Sequence, residues 1–407
     1  MQNWKRTYWA VWVANFITAT GMMSFLPFFP RHLESLGLTE RSDIELWTGL
    51  VFGAAPLAAA VMTPVWGALG DRIGRKAMVA RAMFAITIFV GGMSFVTTPQ
   101  GLFFMRLGQG VFSGFVAPSI TLVSVSAPAD KQGRITGSLQ TAIALGAVIG
   151  PLLGGILAAD VGMGVIFRVV AVAAALGALL VLFLAKEDAG ARQKVSRLER
   201  TPRALLQAAV SDLKAAFAIR ELRGVVVFLF FLQFGMGITN PLMELFVRDV
   251  LGGDSPDVAR VTGSLFSSMA LINLFAMPWW GSYGDKVGHS KALGLCSLLA
   301  SLALGLHAVV PTIALLFIVR MFLGAGMAGA SPCAYGLAAT ELPVERRGGG
   351  MGLVFSSRTL ALSLSAMCGG WLSEWVGIRG LFVVGALVIL IGLKGLSASR
   401  RPLVDKA

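Results

Sequence analysis

The sequence is poor in charge, in histidine, in cysteine and in tyrosine. Asp, Glu, Lys and Arg make up only 14% of its 407 residues, against about 25% in ordinary soluble domains. So little charge excludes a conventional solvated globule. The three cysteines, Cys296, Cys333 and Cys368, are odd in number and each lies in an apolar run. That excludes a disulfide framework and argues against a metal cluster; they are expected to pack as small hydrophobes. His32, His289 and His307 stand singly at the edges of apolar runs and are read as solvated interfacial side chains without a role. There is no His-Glu-x-x-His pair and no Walker loop, which excludes an intramembrane zinc hydrolase and an ATP-driven pump. No segment has the room or composition for an added soluble sensor domain. No cleavable signal peptide is expected, because the first apolar run is too long for one and more runs follow.

What is present is apolar. Hydrophobic residues reach 56% and the mean hydropathy is +0.77. Apolar helices are predicted at 8–33, 45–69, 76–97, 101–125, 134–158 and 162–185, then at 223–250, 259–283, 291–310, 312–338, 348–373 and 379–398. Each is long enough to cross a bilayer, which takes about 20 residues. Helices are the expected element, since lipid offers no partner to loose backbone groups. The predicted fold is an all-α membrane protein with twelve transmembrane helices in two pseudo-symmetric six-helix bundles. Its domains are 1–185 (first bundle), 186–222 (cytoplasmic linker) and 223–407 (second bundle). Part of the linker, Pro202 to Lys214, reads as a surface helix on the membrane or as a solvated connector.

The net charge of +13 would suggest nucleic acid in a soluble protein. Here most of the 34 Lys and Arg residues fall in alternate loops, the linker and the two termini. That asymmetry places both termini in the cytoplasm and assigns the charge to the cytoplasmic face. Trp4, Trp9, Trp66, Trp279 and Trp280 are expected at the inner membrane interface, and Trp47, Trp371 and Trp375 at the outer one, with their N–H groups wet.

The two halves repeat. At an offset of 214, Gly21 meets Gly235, Pro27 meets Pro241, Gly67 meets Gly281, Asp71 meets Asp285, Gly74 meets Gly288, Arg106 meets Arg320 and Pro118 meets Pro332. One residue further, Gly137 meets Gly352, Gly155 meets Gly370 and Gly162 meets Gly377. Paired bundles enclosing a central cavity permit alternating access.

Three motifs stand on this frame. The loop after the second run reads Gly67-x-x-Gly70-Asp71-Arg72-x-Gly74-Arg75-Lys76. The fourth run holds Leu102-x-x-x-Arg106-x-x-Gln109-Gly110-x-x-x-Gly114. The fifth holds Gly146-x-x-x-Gly150-Pro151-x-x-Gly154-Gly155. Together they resemble the major facilitator superfamily, and the third resembles the signature of its drug/proton antiporter branch of twelve-spanning multidrug exporters. The resemblance covers nearly the whole chain. It implies a cytoplasmic latch built from Gly67, Asp71, Arg72, Gly74 and Arg75, with Asp285 in the second half and Asp130 as the candidate partner of Arg75. It also implies proton coupling through Arg106, and an export-biasing bend at Gly146, Gly150, Pro151, Gly154 and Gly155. Beside these readings stand plainer ones: charges that only set topology, an arginine snorkelling to the interface, and glycines that only allow close packing.

The residues add their own constraints. Arg358, in the eleventh run, faces Ile143 in the repeat, so its charge is asymmetric; substrate work and a structural pair with Glu244 or a backbone carbonyl are both open. Several members of the family it resembles carry an acidic residue midway along the first span, but none occurs here between Asn15 and Pro30. Glu34 and Glu244 are the remaining proton-carrier candidates, and both also read as outer-rim carboxylates. Asn15, Phe16, Met23, Phe112, Phe115, Gln233, Phe234, Asn240, Tyr335 and Arg358 are candidates for an adaptable apolar substrate cavity. The expected function is proton-coupled efflux of lipophilic or amphipathic compounds, with a metabolite or sugar carrier as the alternative. The expected partners are a small-molecule substrate, protons and the bilayer, for a monomer in the cytoplasmic membrane. No nucleic acid, metal or cofactor beyond the proton gradient is expected, and no catalytic residue.

Overall fold

The computed structural model of the chain describes residues 3–126, 128, 131–187, 220–341 and 347–398, apart from a few side chains inside helices, among them those of Asp71, Arg72 and Tyr335. Every regular element among the described residues is helical. The surface helix expected at Pro202–Lys214 lies outside them.

Span 1 is α1 (Asn3–Phe25), a 3-10 turn at Leu26–Phe28 and α2 (Phe29–Ser35). Spans 2 and 3 are α3 (Arg41–Ile73) and α4 (Arg75–Met93). Span 4 is α5 (Pro99–Phe112) and α6 (Val116–Ser126); α7 (Gln132–Asp160) and α8 (Met163–Leu184) complete the first six. Span 7 is α9 (Arg220–Gly237), a 3-10 turn at Asn240–Leu242 and α10 (Met243–Leu251). Then come α11 (Pro256–Val287), α12 (His289–Leu306), α13 (Ile313–Met327), α14 (Ala330–Glu341) and α15 (Arg347–Ala398).

Ten helical stretches are long and apolar enough to cross a membrane. One of them, in α15, holds two crossings, because Gly377 (φ 68°, ψ 165°) interrupts the helix. Span 4, parted at residues 113–115, supplies another, which brings the crossings to twelve. The predicted spans 11 and 12 therefore meet at a single glycine rather than across a loop, and span 1 begins nearer the N-terminus than its apolar run does.

The chain divides into two compact units, Met1–Gln207 with Asp254–Ser267, and Ala208–Gly253 with Ser268–Ala407. In the first unit Phe25, Phe28, Phe29 and Leu33 pack with Ile86, Val90, Phe167 and Val170. Toward the start of span 1, Val11 and Ala14 meet Val79, Met83, Ala178 and Val181. Lipid tails are as apolar as these side chains, so close van der Waals packing rather than water exclusion holds such contacts. Small residues are what make the packing close. In the second unit a Cβ at Gly235 would overlap the Gly385 carbonyl, and one at Gly326 the backbone of Ala300.

The repeat is visible inside each unit. Trp66 Nε1 donates to the Val111 carbonyl at 2.6 Å, and Trp280 Nε1 to the Ala325 carbonyl at 2.7 Å. The Thr98 hydroxyl accepts from the Gly101 N–H, and the Thr312 hydroxyl from the Leu315 N–H, as N-caps of α5 and α13. A cap of this kind contributes about 1 kcal/mol. Gly110 lies against the Ala55 backbone, and Gly324 against that of Met269. Every pair sits at the offset of 214 seen in the sequence. Two tryptophans expected to keep a wet N–H do not: Trp280 is 3% exposed, and both indoles bond a neighbouring span. The backbone carbonyl freed near the break in span 4 or span 10 is the nearer acceptor than interfacial water.

Candidate functional site

The loop motif closes α3 and opens α4 with a turn only glycine makes easily. Gly74 has φ 111° and ψ 144°, and its counterpart Gly288 has φ 92° and ψ 132°. Gly67, Asp71 and Arg72 lie on the last turns of α3; the surroundings of all three lie outside the described residues, as does Asp130, the candidate partner of Arg75. The first turn of α4 has no capping side chain of its own. The Glu187 carboxylate supplies it, accepting from the Arg75 N–H at 2.7 Å and the Lys76 N–H at 3.3 Å. A carboxylate there also meets the positive end of the helix dipole. The adjoining residue is pinned as well, since the Lys186 N–H donates to the Thr7 hydroxyl at 2.9 Å. In the second unit Asp285 is largely exposed and stands 3.5 Å from His289 Nε2.

The histidines are not solvated, contrary to the expectation. His307 is fully buried and His32 is 6% exposed. His307 Nδ1 donates to the Ala303 carbonyl at 2.7 Å, and the ring stacks on Phe382. His289 is half-buried, filling space that a Cβ at Gly284 or Gly336 would occupy. Rings from spans distant in sequence cover two of them, Phe167 over His32 and Phe382 over His307.

Arg106 and Arg320 are enclosed at 2% and 0% exposure. An interfacial arginine snorkelling to water is therefore not what α5 holds. A charge at such depth costs about 2.5–3.5 kcal/mol or more, and the protein offsets it with acceptors. Arg106 Nη1 donates to Gln109 Oε1 at 2.6 Å, Nε to the Val51 carbonyl at 3.2 Å and Nη2 to the Phe52 carbonyl at 3.4 Å. The rings of Phe25 and Phe29 lie beside its guanidinium. Gln109 Nε2 reaches Met22 Sδ at 3.1 Å. Arg320 Nη2 donates to Asn240 Oδ1 at 3.1 Å. Glu244 is also fully buried, so the reading of it as an exposed outer-rim carboxylate fails. Glu34 is half-buried.

The span-5 glycines use two faces of α7. A Cβ at Gly146, Gly150 or Gly154 would overlap the α1 backbone at Ala19–Thr20, Thr20–Met23 or Ser24. Their four-residue spacing keeps them on one stripe. The second face meets the start of α11, which belongs to the first unit. There a Cβ at Gly155 would overlap the Ala259 carbonyl, and one at Gly263 the carbonyl of Pro151. Around this contact Arg260 pairs with Asp160 at 2.7 Å and Arg31 with Asp254 at 3.3 Å. Sequence reasoning missed Gly263, whose partner is set only by the fold.

The cavity candidates separate. In the first unit Asn15 is fully buried and accepts from the Ser119 hydroxyl at 3.0 Å. Phe16 stacks on Trp12, and Phe112, 41% exposed, stacks on Phe89. Met23 and Phe115 are half-buried. In the second unit Gln233, Phe234, Asn240 and Arg358 are half-buried, and the Tyr335 side chain lies outside the described residues. Arg358 pairs with neither Glu244 nor a carbonyl: its Nη1 donates to the Ser331 hydroxyl at 2.8 Å. Arg81 also escaped the sequence reading. Its guanidinium lies 3.5 Å from the centre of the Trp66 ring, and its nitrogens bond no described group. An arginine one turn and a half into a predicted span was the available signal. Among the described residues the cysteines are free and no group of three metal-ligating side chains occurs.

Comparison with known proteins agrees with this architecture. A family model described as Major Facilitator Superfamily matches residues 11–259 and 225–403. The multidrug resistance protein MdtG of Enterobacter lignolyticus is 30% identical over 402 residues, 98% of this chain and 93% of that protein. The multi-drug resistance efflux pump PmrA of Streptococcus pneumoniae is 32% identical over 291 residues, 72% of this chain and 70% of that protein. Among solved structures, a variant of the nucleoside transporter NupG superposes with a TM-score of 0.78 at 16% identity, covering 97% of this chain and all of that one.

Proposed function

The chain belongs to the major facilitator superfamily, and we propose that within it the protein is a proton-coupled exporter of lipophilic or amphipathic compounds working by alternating access. It is a multi-pass membrane transporter and not an enzyme, as that membership establishes. Relatives named for multidrug efflux match 98% and 72% of its length, which supports export as the direction.

The observation that carries the reading is the two-faced glycine stripe of α7. Its contact with α1 is backbone on backbone and holds the first unit together. Its contact with the start of α11 is equally close, but the Arg260–Asp160 pair beside it is about half exposed. Exposed pairs contribute only about 0–1 kcal/mol each. A grip made of dispersion contacts and weak ion pairs seals when formed and releases without the penalty of stripping a desolvated ion pair. The Gly67-to-Arg75 loop, with Asp285 and Asp130, is assigned as the latch that replaces it at the other end of the cycle.

Arg106 is assigned to coupling, with Glu244 and Glu34 as proton carriers. Asn15, Phe16, Met23, Phe112, Phe115, Gln233, Phe234, Asn240, Tyr335 and Arg358 contribute to the substrate path. Functional bundles at 1–185 and 223–407, a monomer, a cytoplasmic-membrane location and cytoplasmic termini complete the proposal. The test is efflux from an export-deficient bacterial host, with and without an uncoupler. Uncoupler-sensitive loss of drug accumulation is expected. Drug accumulation equal to that of the empty host would overturn the exporter reading.

A further inference from the structure

We propose that Arg358 selects the charge class of the substrate, so that the protein prefers amphipathic organic anions to cations; this rests on the exporter reading above. Three observations converge on it.

The first is the charge balance of the spans. Within the first unit Arg81 and Arg106 stand at least six residues from either end of a span, and no described carboxylate does; within the second, Arg320 and Arg358 do, against the one described carboxylate Glu244. Each interior disfavours a cation and accommodates an anion.

The second is how those arginines are used. Arg106 and Arg320 are enclosed, and Arg106 spends its guanidinium on three protein acceptors. Arg81 lies face-on to Trp66 with its nitrogens buried. Arg358 differs. It is half-buried, and its side chain bonds one neutral group, the Ser331 hydroxyl. A guanidinium has five N–H donors in a planar fork, so most remain available. That fork matches a carboxylate, sulfonate or phosphonate with two parallel bonds.

The third is the neighbouring surface. The Ser357 hydroxyl donates to the Val226 carbonyl at 3.1 Å, which fixes α9 against α15 one residue from Arg358. A Cβ at Gly237 would overlap Ser365, a second clamp further along. Val226, Phe230, Gln233 and Gly237 share one stripe of α9 by helical spacing. Phe230 and Gln233 thus lie between the clamps, half-buried, and Phe230 stacks on Phe234 at 5.9 Å. An aromatic pair, an amide and an open guanidinium within one unit suit a molecule with an apolar body and an anionic head.

The test uses purified full-length protein in phosphatidylcholine vesicles, so that no anionic lipid competes for Arg358. Three compounds share a pyrenylbutyl group and differ in the head: a sulfonate, a primary amide and a trimethylammonium. Wild-type protein is expected to move the sulfonate with the highest kcat/KM and the trimethylammonium with the lowest. Arg358→Gln is expected to raise KM for the sulfonate about tenfold, the size of a lost charge-assisted pair, with KM for the amide unchanged. Arg358→Lys, which keeps the charge, is expected to fall between. A merely structural arginine would shift all three compounds together, and that result overturns the assignment, as does wild-type transport that favours the trimethylammonium. Both leave the exporter reading standing. Transport of none of the three overturns that reading and this one with it.

Discussion

Glu187 caps a helix that begins 112 residues before it, with its carboxylate 2.7 Å from the backbone N–H of Arg75. The bond ties the exit of span 6 to the entry of span 3, at the foot of the most recognisable loop in the chain. Glu187→Ala leaves two N–H groups at the first turn of α4 without their acceptor. A lost cap costs about 0.5–2 kcal/mol. A lower melting temperature of the purified protein is expected, with Glu187→Gln intermediate because the amide oxygen still accepts. Unchanged melting in both variants would show that the cap is replaceable by water.

Asp71→Asn is expected to impair efflux while membrane abundance stays at the wild-type level. The substitution keeps shape and removes the charge on which a latch at the end of α3 depends. Immunoblotted membranes and efflux rates measured side by side decide it; a normal rate would remove the latch.

The two faces of α7 are expected to respond differently. Gly154→Leu drives a side chain into the α1 backbone, and overpacking of this kind costs about 1–3 kcal/mol or more. Lost abundance is the expected result. Gly263→Leu strikes only the contact between α7 and the start of α11, so abundance is expected to hold while transport falls. Equal loss of abundance in both variants would make the second contact as structural as the first.

Arg106→Lys is expected to abolish substrate-driven proton release. A lysine has one ammonium where Arg106 presents separate nitrogens to Gln109, Val51 and Phe52, and it is not a planar fork. A pH-sensitive dye sealed in proteoliposomes reads the flux. Coupling that survives the exchange would assign Arg106 to packing alone.

Trp66→Phe and Trp280→Phe each delete one indole-to-carbonyl bond at equivalent positions. A net hydrogen bond contributes about 0.5–1.5 kcal/mol, and similar losses of melting temperature are expected from the two. A clear inequality would mean that the repeat is geometric and not energetic.

Much of this was open to reading along the chain. Apolar runs mark spans because lipid tolerates nothing else, and the offset between halves survives in Gly, Pro, Thr and Trp positions that the backbone requires. Errors fell where a side chain's fate depends on a neighbour distant in sequence. His307 sits at a helix end, where solvent was the natural guess, yet Phe382 covers it. Glu244 reads as a rim residue from its place near the end of span 7, yet it is fully buried. Glu187 looks like the first carboxylate of a linker, and no pattern in the residues around it announces α4 as its partner.

Composition and periodicity therefore determined the class of protein, its dozen crossings and their duplication, because these depend on local chemistry repeated along the chain; the family came from the resemblance of three motifs. Tertiary structure decided that Arg106 is held by three protein acceptors and Arg358 by one hydroxyl, what caps α4, and that the start of α11 packs with the first six spans. Those outcomes are set by which helix faces meet, and a glycine or a guanidinium carries no mark of its partner until the backbones are in place.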